Sequence, residues 1–319
     1  GKYDQRLLLG LDFVISQASI RNMTLLVTLN NFWPWTGGFT QYLKWAGDAG
    51  LAPMLKLPLS ARDVSLEESI RSRRDVFAQY AALFYANAAA RQLAARHITM
   101  IVGRRNLFTG RFYKDEPAIF AWELANSPLA IHSPDAYQAW ISATAAQVKE
   151  LDPVHLVTIG SAGRGQQPAI DHVDFAAEHR DPNVDFATVQ ISPAAWGWTA
   201  ATLAPGGMEQ AMRNASLYLS QHVKLLLALK RDDKPLVLSS FSFPRDGYDF
   251  SSSTLARDQY FRLLLEQIGQ AIKKKNHGAL VGSILHAWGG EGRPSNARLF
   301  WRPGDAWTGD PPGDRQGAH

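Results

Sequence analysis

Short apolar runs rich in β-branched residues alternate with longer stretches of helical period along most of this chain, and that alternation constrains the fold more than any other feature. A strand, a crossover helix and a second strand of the same direction build a parallel sheet, so the pattern argues for βα units. It predicts helices over residues 4–21, 67–85, 88–105, 134–151, 208–229 and 254–275. It predicts strands over residues 24–29, 118–124, 155–160, 186–191, 236–239 and 281–288. Residues 51–65 are polar and irregular and read as a long loop, and the closing segment is rich in Gly, Pro and Asp. Six strands are two fewer than a closed parallel barrel requires.

Bulk properties narrow the function classes. A chain of 319 residues, 46% hydrophobic and 19% charged, can bury a large core and is of ordinary length for one α/β barrel, so residues 1–319 read as a single domain. The net charge of +4 is dispersed, and the densest basic run, Lys273-Lys274-Lys275, falls at a helix end where cations favour the dipole. A nucleic-acid partner is therefore not expected. Cysteine is absent, which excludes disulfides, thiolate metal sites and cysteine nucleophiles and leaves the compartment open. No run approaches 18 apolar residues, so no membrane span is expected. No signal peptide is visible, and a start at Gly1 implies a processed, engineered or incomplete beginning. His97, His132, His155, His172, His179, His222 and His277 are dispersed without a metal-ligand spacing. No Gly-rich phosphate loop follows a strand, so neither metal nor cofactor is expected. Two glycosylation sequons occur, Asn22-Met23-Thr24 and Asn214-Ala215-Ser216, each short enough to arise by chance.

Several separated motifs stand in one order. They are Asn30-Asn31-Phe32-Trp33-Pro34-Trp35-Thr36-Gly37-Gly38, Tyr113-Lys114-Asp115-Glu116-Pro117, Phe120-Ala121-Trp122-Glu123-Leu124-Ala125-Asn126-Ser127-Pro128, Trp196-Gly197-Trp198, Phe243-Pro244-Arg245-Asp246 and Trp288-Gly289-Gly290-Glu291-Gly292-Arg293-Pro294. Together they resemble the endo-β-1,4-mannanases of family 5 glycoside hydrolases. The resemblance implies a (β/α)8 barrel, with the first two strands and the last helix having no counterpart in this chain. It also implies that another segment, another chain or an oligomer partner covers the open barrel edge, or that the chain extends beyond this N-terminus.

The same resemblance assigns the site. The family reads AWELANEP where this chain reads Ala121 to Pro128, and PLVLEEF where it reads Pro235 to Phe241, so Ser127 and Ser240 stand in place of the acid/base and nucleophile glutamates. A retaining glycosidase needs both carboxyl groups, roughly 5 Å apart. A serine hydroxyl supplies neither role without a base beside it. Gln190 replaces a histidine, Ser192 a tryptophan and Ala162 the glutamate of a GSEG turn, while His286 stands where an aromatic residue floors the sugar site. Asn126 and Glu123 are kept. Glu123 lies at odd spacing from Asn126 and reads as a structural carboxylate. Trp33, Trp35, Trp196, Trp198 and Trp288 lie at or beyond strand ends, where they either stack on sugar or pack the barrel mouth. A serine-hydrolase arrangement of Ser240, Ser127 and His286 lacks both a GxSxG elbow and an orienting carboxylate. The expectation is a catalytically inactive, mannanase-like pseudoenzyme that is a structural or interaction subunit, with weak binding of a β-mannan-type polysaccharide. Hydrolysis of β-mannan is the alternative.

Overall fold

The computed structural model describes residues 2–48, 74–131, 133–164, 171–193, 196–198, 207–229, 234–243, 253–273 and 280–286. The loop expected at 51–65, the first turns of the helix expected from residue 67, and everything after residue 286 lie outside the described residues. The chain divides into two compact units, Gly1–Ala187 and Thr188–His319.

The first unit opens with α1 (Gln5–Ile20), whose start is fixed by the Asp4 carboxylate accepting from the Arg6 amide at 2.9 Å. The helix closes on Asn22, which adopts φ +52° while the Met23 amide donates to the Ala18 carbonyl at 2.9 Å. This is the left-handed helix ending that asparagine tolerates better than other residues with a side chain. The strands β1 (Leu25–Thr28), β2 (Ile119–Glu123) and β3 (Leu156–Thr158) pair side by side and in parallel, in that order. The register puts Thr28 beside Glu123, and Glu123 beside Thr158.

Among the described residues of this unit, the further helices are α2 (Gly38–Trp45), α3 (Arg74–Ala82), α4 (Ala88–Val102), α5 (Pro134–Leu151) and α6 (Phe175–Glu178). Aromatic packing binds them. Phe39 of α2 stacks on Phe84 at 4.0 Å, and Trp140 of α5 meets Phe39 edge-on at 5.4 Å. Sequence periodicity missed α2 because eight residues with two buried apolar positions, Phe39 and Leu43, are too short to establish a period. The four-residue α6 was missed for the same reason.

Two buried polar networks tie the elements together, the first joining α1 to the segment after α4 and the second joining the end of α5 to β2. Asp12 of α1 accepts from Arg104 at 2.9 and 2.5 Å and from the Tyr113 hydroxyl at 2.6 Å. Burial opposes ionisation of Asp12, but these hydrogen bonds outweigh it and hold the carboxyl below its ordinary range. Past α5, the Asp152 carboxylate accepts from the Trp122 indole at 2.7 Å and lies 2.6 Å from His155 Nδ1. Burial again opposes ionisation, yet the His155 and Trp122 contacts hold Asp152 at about 2. Asp152 also accepts the His155 backbone amide, which delays the start of β3 by one residue relative to the sequence expectation.

In the second unit, β4 (Ala187–Ile191) starts at the boundary, followed by α7 (Gly207–Leu227), β5 (Leu236–Phe241), α8 (Leu255–Lys273) and β6 (Leu280–Leu285). The sheet order is β4-β5-β6, with β5 and β6 parallel. Helix α7 buries Ala211, Ala215, Tyr218, Leu219, His222 and Leu226, the stripe its period predicts. β5 runs two residues beyond its expected end, so Ser240 lies inside the strand instead of just past it. No helix among the described residues is long and apolar enough to cross a membrane.

Candidate functional site

The C-terminal ends of β1 and β2 carry a chain of polar side chains. The ladder between the strands continues past them through a parallel bridge from Asn31 to Asn126. Backbone bonds from the Asn126 amide to the Asn30 carbonyl at 3.0 Å, and from the Ser127 amide to the Gly160 carbonyl at 3.0 Å, set the two strand ends in register with the segment after β3. The side chains then link in series. Asn31 Nδ2 donates to the Thr36 hydroxyl at 3.0 Å, and Asn126 Nδ2 donates to Asn31 Oδ1 at 3.4 Å. The Ser127 hydroxyl donates to Asn126 Oδ1 at 3.2 Å. Ser127 itself holds φ +47°, outside the backbone region that residues with a Cβ favour.

Gly38 and Gly160 make these strand ends fit. A Cβ on Gly38 would lie 2.2 Å from the Trp33 carbonyl oxygen. One on Gly160 would lie 2.0 Å from the Ala125 carbonyl oxygen and 2.6 Å from Cγ of Glu123. Glu123 is thus packed under the turn that positions Ser127. It is buried and accepts from the Thr28 hydroxyl at 2.9 Å. Burial pushes its carboxyl up to about 7, with the Thr28 hydrogen bond opposing.

Trp33 is buried, not a free platform. Its ring meets Phe32 edge-on at 5.3 Å, and the Arg74 guanidinium sits over its face at 5.4 Å. Arg74 also pairs with the buried Asp171 at 3.3 Å, tying the loop after β1 to the segment after β3. Of the two roles open to Trp33, the geometry favours packing. Trp35 lies in the 3-10 turn Pro34–Thr36, and Trp288 lies outside the described residues.

A second buried carboxyl lies past β3, at a position that no motif or periodicity marks. Glu178 of α6 accepts from the Ser161 hydroxyl at 3.2 Å and from the Tyr137 hydroxyl at 3.3 Å. Burial, reinforced by Asp174, pushes it up to about 8, so it carries a proton at neutral pH. Short helices carry no period, so nothing in the linear sequence distinguishes Glu178 from a solvated acid.

The second unit holds the other candidates. Gln190 lies within β4 and Ser192 just after it, both half-buried. The Trp196 amide donates to the Ser192 carbonyl at 3.0 Å and the Trp198 amide to the Pro193 carbonyl at 2.8 Å, a turn that uses Gly197 at φ +72°. The two indoles lie 4.9 Å apart and pack on Tyr218 of α7 at 5.1 and 6.3 Å, leaving both half-exposed. Ser240 is half-buried within β5, and the His286 amide, just past β6, donates to the Phe241 carbonyl at 3.0 Å. Among the described residues, no group of three or more His, Asp or Glu could hold a metal ion.

Parallel strands alternating with helices, and a polar cluster at the strands' carboxyl ends, are the arrangement in which α/β enzymes build their sites. The whole chain, residues 1–319, matches the family described as GH family 5 beta-mannosidase-like, and it belongs to that family. It is 31% identical over 297 residues to a putative mannan endo-1,4-beta-mannosidase 9 of Oryza sativa subsp. japonica, covering 89% of this chain and 63% of the relative. It is 28% identical over 294 residues to mannan endo-1,4-beta-mannosidase 2 of Arabidopsis thaliana, covering 88% and 60%. The chain thus spans less than two thirds of the length of these relatives.

Among solved structures, it is similar to the glycoside hydrolase family 5 mannosidase from Rhizomucor miehei. That likeness has a TM-score of 0.78 and 30% identity, and covers 99% of this chain and 72% of that one. A glutamate-to-alanine variant of the same mannosidase has been crystallised with mannosyl-fructose. The fold class is accordingly that of a (β/α)8 barrel, of which this chain contributes six strands among the described residues.

Proposed function

We propose that this chain is a non-hydrolytic member of the family, which acts by interaction and retains weak binding of a β-mannan-type polysaccharide. The observation that carries the reading is Ser127, whose hydroxyl donates to the amide oxygen of Asn126. It is an alcohol bonded to an amide, not an ionisable acid. Glu123 does not substitute for the lost acid, since it is buried, bonded to Thr28 and packed under Gly160. Ser240 offers no carboxyl group either, so the paired acids of a retaining mechanism are missing from both strand ends. The half-exposed indoles of Trp196 and Trp198 support a sugar contact, because aromatic planes stack on the apolar faces of pyranose rings.

An interaction role is supported by the outer strands of the two sheets. β1 is at best half-buried along its length, and β6 exposes Val281, Ile284 and Leu285. Such edges are normally covered by another segment or chain.

Calorimetry with mannan oligosaccharides tests the binding. Heat of association in the millimolar range is the expected result, and its absence ends the sugar-binding part. Light scattering of the purified chain tests the interaction part, which a fully folded, solitary monomer would contradict. A second reading, hydrolysis of β-mannan, is favoured by the mannan endo-1,4-beta-mannosidase names of the relatives. Release of reducing ends from mannan by the unaltered chain would establish it. Should only the Ser127→Glu, Ser240→Glu double variant release them, the non-hydrolytic reading stands and the rest of the site is intact.

A further inference from the structure

The two Asn-X-Ser/Thr sequons sit in opposite structural settings. Asn214 lies inside α7, a helix of 21 residues. A helix turns about 100° per residue, so the side chains of positions 214 and 216 point about 160° apart. The Asn214 amide oxygen is taken by Gln210 Nε2 at 2.7 Å, Ala215 between the pair is fully buried, and the Ser216 carbonyl accepts from Ser220 at 2.7 Å. Attachment at Asn214 would replace its bond to Gln210, and the helical backbone holds the sequon's third residue on a diverging face.

Asn22 differs on each count. It lies in the turn between α1 and β1, and residues 21–24 are all exposed. Its side-chain amide is engaged by no described residue, and the αL backbone at φ +52° turns the chain out of the helix. Thr24, the third position of the sequon, is likewise exposed and outside regular structure. The neighbours Ile20 and Met23 are 74% and 57% exposed, apolar surface that a bulky hydrophilic group would shield. The turn precedes β1, whereas the Asn31–Asn126–Ser127 chain follows it, so a group attached here leaves that strand end open.

We infer that Asn22 is an N-glycan acceptor when the chain passes through a eukaryotic secretory compartment, and that Asn214 is not. The donor is a lipid-linked oligosaccharide pyrophosphate. Asn22 Nδ2 forms the bond to the first sugar's anomeric carbon, the bond from that carbon to the pyrophosphate oxygen breaks, the lipid pyrophosphate leaves, and one amide proton passes to the host transferase's base. An asparagine at a left-handed helix ending needs no glycan to account for it. The exposed Thr24 is what separates the two explanations, because helix capping makes no use of it.

The test is expression of the full chain behind a secretion signal in yeast, with secreted and cell-retained material both digested with peptide-N-glycosidase and mapped by mass spectrometry. The expected result is one glycan at Asn22, abolished in Asn22→Gln and in Thr24→Ala and unchanged in Asn214→Gln. Thr24→Ala leaves the capping asparagine and its backbone intact, so loss of the glycan in that variant is not a folding effect. An unmodified Asn22 in the wild-type chain, or occupancy at Asn214, overturns the inference.

Discussion

Glu178 is a carboxyl that the fold keeps protonated, and the consequence for stability has a definite sign. The unfolded chain releases this proton above the ordinary value of 4.5, whereas the folded chain holds it until about 8. A raised acid pKa therefore stabilises fully below the lower value, and the contribution declines as pH rises through the window to the upper one. The slope is about 1.4 kcal/mol per pH unit per group, and Glu123, raised to about 7, adds to it over the lower part of the range. Urea midpoints are expected to fall from pH 5 to pH 8, and Glu178→Gln is expected to flatten the fall while changing stability at pH 5 little. A midpoint independent of pH in the unaltered chain would contradict the burial of both acids. Gly160 is the other residue with a sharp expectation. An alanine there meets both a positive φ of +86° and a carbonyl oxygen 2.0 Å from its Cβ, so Gly160→Ala is expected to lose about 3 kcal/mol, read from chemical denaturation.

At the scale of elements, α1 is held to the rest of its unit by the buried Leu8 and Ile15 and by the polar contacts of Asp12. Arg104 and Tyr113 both converge on that carboxylate, and Asn106 Nδ2 donates to its backbone carbonyl at 2.9 Å. Removing the charge leaves the largely buried Arg104 without a counterion, which costs about 3–5 kcal/mol. Asp12→Asn is therefore expected to loosen α1 first, visible as faster amide hydrogen exchange in residues 5–20 than in α5.

Elements of this length were legible in the sequence because fifteen or more residues establish a period, as the match of α5 to residues 134–151 illustrates. The short α2 and α6 were not, and nor were strand ends set by side chains, such as the start of β3 fixed by Asp152. The candidate site was legible at Asn126 and Ser127, whose motif is contiguous. The parts assembled from distant segments were not, including Arg74 over Trp33 and Ser161 beneath Glu178. No linear spacing encodes such pairs.

For the molecule as a whole, membership of a hydrolase family and the ability to hydrolyse are separate properties, because the fold sets the frame and a few strand-end residues set the chemistry. The frame here is well kept. Glycines at positions 38 and 160 still accommodate their close contacts, and the amide–hydroxyl chain from Thr36 to Ser127 is continuous. The two interior acids also leave a thermal signature of the entire chain. At pH 6, opening the structure frees about two hydrogen ions from these acids. His97, held below its ordinary range by burial in the fold, takes up a part, and the remainder passes to the surroundings. The heat recorded on melting then includes the neutralisation heat of whatever buffer absorbs them. A scan in bis-tris should register a smaller enthalpy than one in phosphate at the same pH, although the protein and its melting transition are the same.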